Sequence, residues 1–97
     1  MIKHVVCFKL AEPSKELLKK TKEILLSMKG NVPMLRDIEV GVDFLHSPRS
    51  YDIILIVTLD DKKALDDYQN NPYHCDVVKR HMHSVASSSI ALDWDLD

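Results

Sequence analysis

The sequence lacks the features that mark several large classes of protein. It has no apolar run close to the roughly 20 residues that a membrane-spanning helix needs. Lys3, His4 and Lys9 interrupt the first ten residues, so these do not fit a secretory signal. We therefore expect a cytoplasmic protein without a membrane partner.

Net charge and cysteine content are also low. The net charge of −2 at pH 7 gives no reason to expect nucleic acid as a partner. Cys7 and Cys75 lack the spacing of a metal motif, and we expect two free thiols rather than a disulfide. No repeat, low-complexity tract or linker interrupts the chain, which predicts a single domain over residues 1–97.

The first part of the chain predicts a strand and a helix. Alternation over residues 2–10 indicates a strand. We assign one of its faces to the helices, with Ile2, His4, Val6, Phe8 and Leu10. A helix then opens at Ser14, and its apolar residues keep a helical spacing up to Met28. Gly30 is the expected stop, because glycine adopts the left-handed conformation without strain.

Two strands are predicted in the middle of the chain, over residues 37–43 and 51–59, with a loop over 44–50 between them. The second strand, YDIILIVTL, is apolar almost throughout. A strand of this composition needs cover on both faces of its sheet.

The remainder predicts two short helices and a last strand. Asp60 or Asp61 caps a helix that carries Tyr68 on its apolar side. Asn71 caps the next helix, with Pro72 at the first position, where a missing N–H costs nothing.

This third helix is expected to bury Val77 and Val78, with His81 as a further candidate, and to fade near Val85. It is followed by a strand over residues 88–96. The apolar residues on one side of that strand are Ile90, Leu92 and Trp94.

The predicted order of elements is strand, helix, strand, strand, broken helix, strand. This order is typical of an α+β protein with a ferredoxin-like four-stranded antiparallel sheet and helices on one face. The open sheet face would carry Val5, Cys7 and half of the apolar strand. We expect the same face of a second subunit to cover it, which gives a homodimer.

Four segments in this order resemble the stress-responsive A/B barrel domain (Dabb) family: IKHVVCFKL, YDIILIVTL, LDDYQNNPYH and IALDWD. The resemblance covers essentially the whole chain, and the order and spacing of the segments carry it. It implies a dimeric α+β barrel, in which two four-stranded sheets face each other with the helices outside. It also implies a role in a stress response.

Some plant members of this family are polyketide cyclases, which close a linear poly-β-ketone by aldol condensation without a cofactor. Their catalytic pair corresponds to Tyr68 and His74, and a pocket histidine of their first strand corresponds to His4. Two positions depart from the pattern. Asn71 replaces the first histidine of the family motif, and Ile53 stands where the cyclases have a further pocket histidine. The cyclase reaction is therefore an analogy.

The implied chemistry is proton abstraction. A neutral His74, with a pKa near ambient pH, would take an acidic proton that lies between two carbonyl groups. Tyr68 would donate a hydrogen bond to the developing enolate oxygen. A small hydrophobic ligand, phenolic or polyketide-like, would contact both residues together with His4 and Phe8.

Each of these residues also has a purely structural interpretation. His74 could lie at the surface of a helix start, Tyr68 could be ordinary core, and His4 could be a hydrogen-bonded core residue. His81 and His83 cannot place both rings on one helix face, and we expect no metal site and no cofactor. Three functions stay open: a small-molecule binding barrel, an aldol-type cyclase or lyase, and a structural dimer without a ligand.

The acidic end of the chain is the last notable feature. Asp93, Asp95 and Asp97 alternate with Trp94 and Leu96. This pattern predicts an exposed strand edge or tail, with weak binding of a divalent ion as the alternative.

Overall fold

A computed structural model describes residues 1–96 of the chain. Four strands form one antiparallel sheet in the order β2-β3-β1-β4. The strands are β1 (Ile2–Leu10), β2 (Asp37–Val42), β3 (Ile53–Leu59) and β4 (Ala86–Asp95). The predicted ferredoxin-like α+β fold is confirmed.

The helical segments pack on one face of this sheet. They are α1 (Lys15–Leu26), α2 (Lys62–Asn70), a π-helix (His74–Lys79) and α3 (Arg80–Val85). Within residues 1–96, no helix has the length and apolar character that crossing a membrane requires.

Short polar side chains determine where the first two helices begin. The Ser14 hydroxyl accepts a hydrogen bond from the Leu17 N–H at 3.1 Å. A carboxylate oxygen of Asp61 accepts from the Ala64 N–H at 2.8 Å, so Asp61 rather than Asp60 is the cap. Both residues satisfy backbone donors that the first helical turn leaves free.

The first helix ends earlier than the sequence predicts, at Leu26 rather than near Gly30. Backbone hydrogen bonds between residues three apart tighten the chain after this point. The Met28 N–H donates to the Leu25 carbonyl, and the Lys29 N–H donates to the Leu26 carbonyl. Gly30 then adopts a φ of 87°, so its left-handed conformation ends this tightened segment instead of the α-helix.

The third helix differs most from its prediction. The Asn71 side chain accepts from the His74 N–H at 3.1 Å, as expected of a cap. The chain then widens into the π-helix before α3 begins. The wider turn leaves Val77 38% exposed, so its predicted burial is wrong. His74 and Val78, four residues apart, both face the interior.

The core lies between the helices and the facing side of the sheet. Its largest fully buried side chains are Tyr68, Leu25, Met28, Ile53, Leu59, Val32, Val57 and Thr21. Burying one large aliphatic side chain stabilises a fold by about 1.5–3 kcal/mol. This shared core fixes the distance between the sheet and the helices.

The other face of the sheet is apolar and uncovered. Ile90, Leu92 and Trp94 lie together there, as predicted, and all three are exposed. Leu92 pairs across the ladder with Val5, which in turn pairs with Ile56, so the apolar surface runs across three strands. We call this surface the open sheet face. Contiguous apolar surface of this kind marks an interaction site.

The two cysteines lie on opposite sides of the sheet. Cys7 is on the open sheet face, where it pairs with Ile54 and Ile90, and Cys75 is in the π-helix. Both are free. Partial burial raises the pKa of the Cys7 thiol.

Candidate functional site

The helix break at Asn71 and Pro72 brings three of the predicted site residues together. The rings of Tyr68 and His74 have centroids 4.2 Å apart and planes tilted by 32°. The Tyr68 ring also meets His4 edge-on, with centroids 5.8 Å apart. Tyr68, His4 and His74 therefore form one cluster between β1 and the helical layer.

His4 is held by an acidic residue of β4. Its Nδ1 forms a hydrogen bond with a carboxylate oxygen of Asp93, which lies directly opposite in the ladder. His4 is buried, whereas the Asp93 side chain is 44% exposed. Asp93, one residue of the predicted exposed edge, thus has a structural role, since it holds the His4 ring. Asp95 is an exposed residue of β4, and Asp97 lies outside the described residues.

A cavity of about 500 Å³ adjoins this cluster. The lining residues from β1, β3 and β4 include His4, Val6, Phe8, Leu55, Ser89 and Ala91. Those from the helical layer are Tyr68, Gln69, His74, Val78, Lys79, Met82 and His83. The volume lies within the usual range for small-molecule sites. All four predicted ligand contacts, His4, Phe8, Tyr68 and His74, belong to its wall.

Small side chains on β4 leave this space open. Ser87, Ser88, Ser89 and Ala91 all line the cavity. Ser89 and Ala91 lie opposite Phe8 and Val6 in the ladder and face the helices, so larger residues at these two positions would fill the gap between the sheet edge and the π-helix. Sequence reasoning missed them, although the run of serines that leads into the predicted strand over residues 88–96 is an available signal, since serine has little apolar surface to bury.

His74 is buried, with 6% of its surface exposed, so the alternative of a surface residue is wrong. Burial lowers the pKa of His74 to about 4, and the positive charge of Lys79 adds to the lowering. The backbone carbonyl groups of Gln69 and Tyr68 act in the opposite direction. Among residues 1–96, none provides a hydrogen bond to the buried Nδ1. At neutral pH the imidazole is therefore uncharged.

The Tyr68 hydroxyl does not point at open space. It donates to the Met28 sulfur at 3.7 Å, and the whole side chain is fully buried. A thioether is a weak acceptor. Burial also raises the pKa of Tyr68, which keeps the phenol protonated. The predicted donation to an enolate therefore requires the hydroxyl to turn away from Met28.

Lys79 is the main site residue that sequence reasoning missed. Its side chain lines the cavity, and its Nζ donates to the Gln69 carbonyl at 3.2 Å. Residues five apart do not share a face of an α-helix. No α-helical pattern could therefore have paired Lys79 with His74.

The two late histidines have different surroundings. His83 lines the cavity, whereas the Nε2 of His81 contacts the Thr21 hydroxyl at 2.9 Å. Burial lowers the pKa of His81. Within the described part of the chain, no group of three or more His, Cys, Asp or Glu side chains could hold a metal ion.

Residues 2–96 match the family described as the Stress responsive A/B Barrel Domain. The chain belongs to this family. The resemblance found in the sequence is thereby confirmed. No curated protein matches the sequence of this A/B barrel domain.

Solved structures share the fold of the A/B barrel domain. A dimeric ferredoxin-like protein from Bacteroides fragilis has a TM-score of 0.82 at 23% identity, over 98% of this chain and 95% of that one. A dimeric ferredoxin-like protein from Thermobifida fusca has a TM-score of 0.84 at 19% identity, over 98% and 90%. The hydroxynitrile lyase from Passiflora edulis has a TM-score of 0.81 at 12% identity, over 99% and 93%.

The lowered pKa of His74 predicts a pH-dependent stability of the A/B barrel domain. Unfolding should take up a proton at this residue between the usual pKa of 6.5 and the folded value of about 4. Its contribution to stability is therefore complete above pH 6.5 and falls as the pH drops to about 4, by at most about 3 kcal/mol. Urea unfolding across this pH range measures the effect.

His74→Gln should reduce the slope of this part of the pH profile, because it removes the titration of His74 and leaves that of His81. His46→Asn is a matched control, since His46 is exposed and asparagine suits its φ of 53°. That control should keep the wild-type profile. An unchanged profile in His74→Gln would show that burial does not lower the pKa of this residue.

Proposed function

We propose that the protein binds a small hydrophobic molecule, phenolic or polyketide-like, in the cavity between its sheet and helices. The observation that supports this function is the cavity of about 500 Å³ beside His4, Tyr68 and His74. Concave sites with apolar walls and a few convergent polar groups are typical of small-molecule binding. A filled core would have favoured a structural dimer without a ligand.

The proposed ligand lies with its hydrocarbon part on Val6, Phe8 and Leu55. Its oxygen lies near His74, whose uncharged ring can form a hydrogen bond without the cost of burying an ion. Tyr68 forms a wall of the site and fixes the His74 ring by packing against it. His4 closes the sheet side of the site.

A thermal-shift experiment with para-butylphenol tests this function. Binding to the folded state should raise the melting temperature of the wild type by mass action. His74→Ala should weaken binding by about 1–3 kcal/mol, the usual loss when a buried hydrogen-bond partner is removed. Asp76→Ala is the matched control, because Asp76 is exposed on the same helical turn.

Ala91→Leu is a second test variant for the same experiment, and it leaves His74 unchanged. The larger side chain would occupy part of the cavity, so binding should fall while the circular dichroism spectrum keeps its native form. Tyr68→Phe should change binding by less than about 1 kcal/mol, because the hydroxyl has only a weak sulfur contact to lose. If para-butylphenol raises the melting temperature of the wild type no more than those of His74→Ala and Ala91→Leu, the binding function fails. The structural dimer without a ligand then takes its place.

The second candidate is an aldol-type cyclase or lyase without a cofactor. A buried, uncharged imidazole in a cavity wall favours it, because such a group can accept a proton from a carbon acid. His74 would be this base, and Tyr68 would donate to the enolate oxygen after leaving Met28. One protein of this fold is named a hydroxynitrile lyase, so the fold accommodates a lyase in at least that case.

Turnover of a linear poly-β-ketone distinguishes catalysis from binding alone. His74→Ala should lower kcat by about 10²–10⁴, as expected for a lost general base. The acid limb of the pH–rate profile should lie near pH 4 instead of near 6.5, because burial lowers the pKa of His74 to about 4. Tyr68→Phe should lower kcat and leave KM nearly unchanged. Equal turnover in wild type and His74→Ala would exclude this candidate.

We also propose a homodimer that packs through the open sheet face. The exposed apolar residues Ile90, Leu92 and Trp94 support it, since water contact with such a surface is unfavourable. The structural neighbours from Bacteroides fragilis and Thermobifida fusca are described as dimeric. A stress response and a cytoplasmic location stay predictions from the family and the composition.

Light scattering tests the dimer. The wild type should give about twice the chain mass of 11.1 kDa at micromolar concentration. Ile56→Asp should yield monomers, because it would bury an unpaired charge at the centre of the interface. Val77→Asp adds the same charge at an exposed position of the helical layer and should stay dimeric. A monomeric wild type would refute the sheet-to-sheet dimer.

A further inference from the structure

The π-helix brings a lysine into the wall of the cavity. In an α-helix, the neighbours on one face are three or four residues apart. Lys79 follows His74 by five residues, so an α-helix would turn the two side chains apart. The π-helix closes its hydrogen bonds over five residues, and both side chains line the same cavity.

The Lys79 ammonium forms one hydrogen bond with the protein and has further N–H donors available. Its Nζ donates to the Gln69 carbonyl at 3.2 Å, near the end of α2, where helix carbonyls lack partners within the helix. The Cys75 thiol donates to the same oxygen at 3.3 Å. An ammonium group has three N–H donors. The hydrogen bond to Gln69 therefore holds the ammonium in the cavity wall and leaves two N–H donors for a ligand.

The cavity provides no carboxylate for this ammonium. Its lining residues include no aspartate or glutamate within the described chain, and Lys79 is its one formal charge when the histidines are neutral. Asp93 contacts the cavity-lining residue His4, and its carboxylate already forms a hydrogen bond with the His4 imidazole. A partly desolvated cation without a counter-ion is unfavourable. A ligand with a negative group would relieve this imbalance.

We infer that the cavity takes an amphiphilic organic acid, whose carboxylate pairs with Lys79 and whose hydrocarbon part lies on Val6 and Phe8. This inference rests on the proposed binding function and names the chemical class of the ligand. With its histidines neutral, the cavity carries one positive charge, that of Lys79, which matches a monoanion. The His74 imidazole can hydrogen-bond the second carboxylate oxygen. Charge-assisted hydrogen bonds of this kind are about twice as strong as neutral ones.

Calorimetric titration with two compounds of equal shape tests the inference. para-Butylbenzoate carries the negative charge, and para-butylbenzamide replaces it with a neutral amide. The wild type should bind the benzoate about tenfold more tightly or better, as expected for a hydrogen bond to a charged group. Lys79→Met keeps the aliphatic stem and should abolish this preference, with little change in affinity for the benzamide.

Arg80→Met removes the same charge from the next residue, which is exposed, and should keep the wild-type preference. Lys79→Gln is a second neutral variant, and circular dichroism verifies that each variant is folded. Equal affinities of the wild type for the two compounds would overturn the inference. So would a preference that persists in Lys79→Met or Lys79→Gln.

The outcome also separates this inference from the proposed function. Binding of para-butylphenol and para-butylbenzamide, with no advantage for the benzoate, would refute the acid class alone. If none of the three compounds binds, both the inference and the binding function fail.

Discussion

The packing of Tyr68 against both His4 and His74 is the contact on which the rest of the site depends. It joins α2, the first strand and the π-helix at one buried point. Its geometry requires the helical layer to break after α2, since a continuous helix would carry His74 away from the sheet. Asn71 and Pro72 supply that break, and the asparagine side chain caps the segment that follows. A local change in backbone direction thus creates the cluster.

The same contact determines the electrostatics of the cavity. Tyr68 shields His74 from water, so the imidazole stays uncharged, and the positive charge of Lys79, five residues later, adds to this effect. On the sheet side, Asp93 bonds to His4 and is thereby partnered. The cavity consequently places the uncharged imidazole of His74 and the ammonium of Lys79 in one wall, while the Asp93 carboxylate bonds to His4. Acid–base chemistry and anion binding would each use one member of this pair.

The fold was predictable because its signals are local. Alternation in the first strand, the apolar run of β3 and the cap at Ser14 each act within a few residues, and the resulting order of elements is typical of the ferredoxin-like fold. The predicted cluster of Tyr68 and His74 likewise depends on a short segment. The family resemblance added His4, whose position on β1 follows from strand alternation.

The remainder depends on features that no local pattern encodes. The hydrogen bond between His4 and Asp93 joins residues at opposite ends of the chain and requires the β1–β4 register. Lys79 enters the cavity because one turn is π-helical, and the sequence pattern there fits an α-helix equally well. The volume itself arises where small side chains of β4 face the helices, which depends on how three separate elements pack.

β4 is an edge strand, and this placement has a consequence for how related chains can diverge. Its inward side chains, among them Ser89 and Ala91, border the cavity and are not members of the buried core. Substitutions there would alter the size and polarity of the cavity without removing a core contact. In the proposed ligand site, substitutions on a single strand would therefore change the ligand preference of the scaffold, and β4 is the natural place to redesign it.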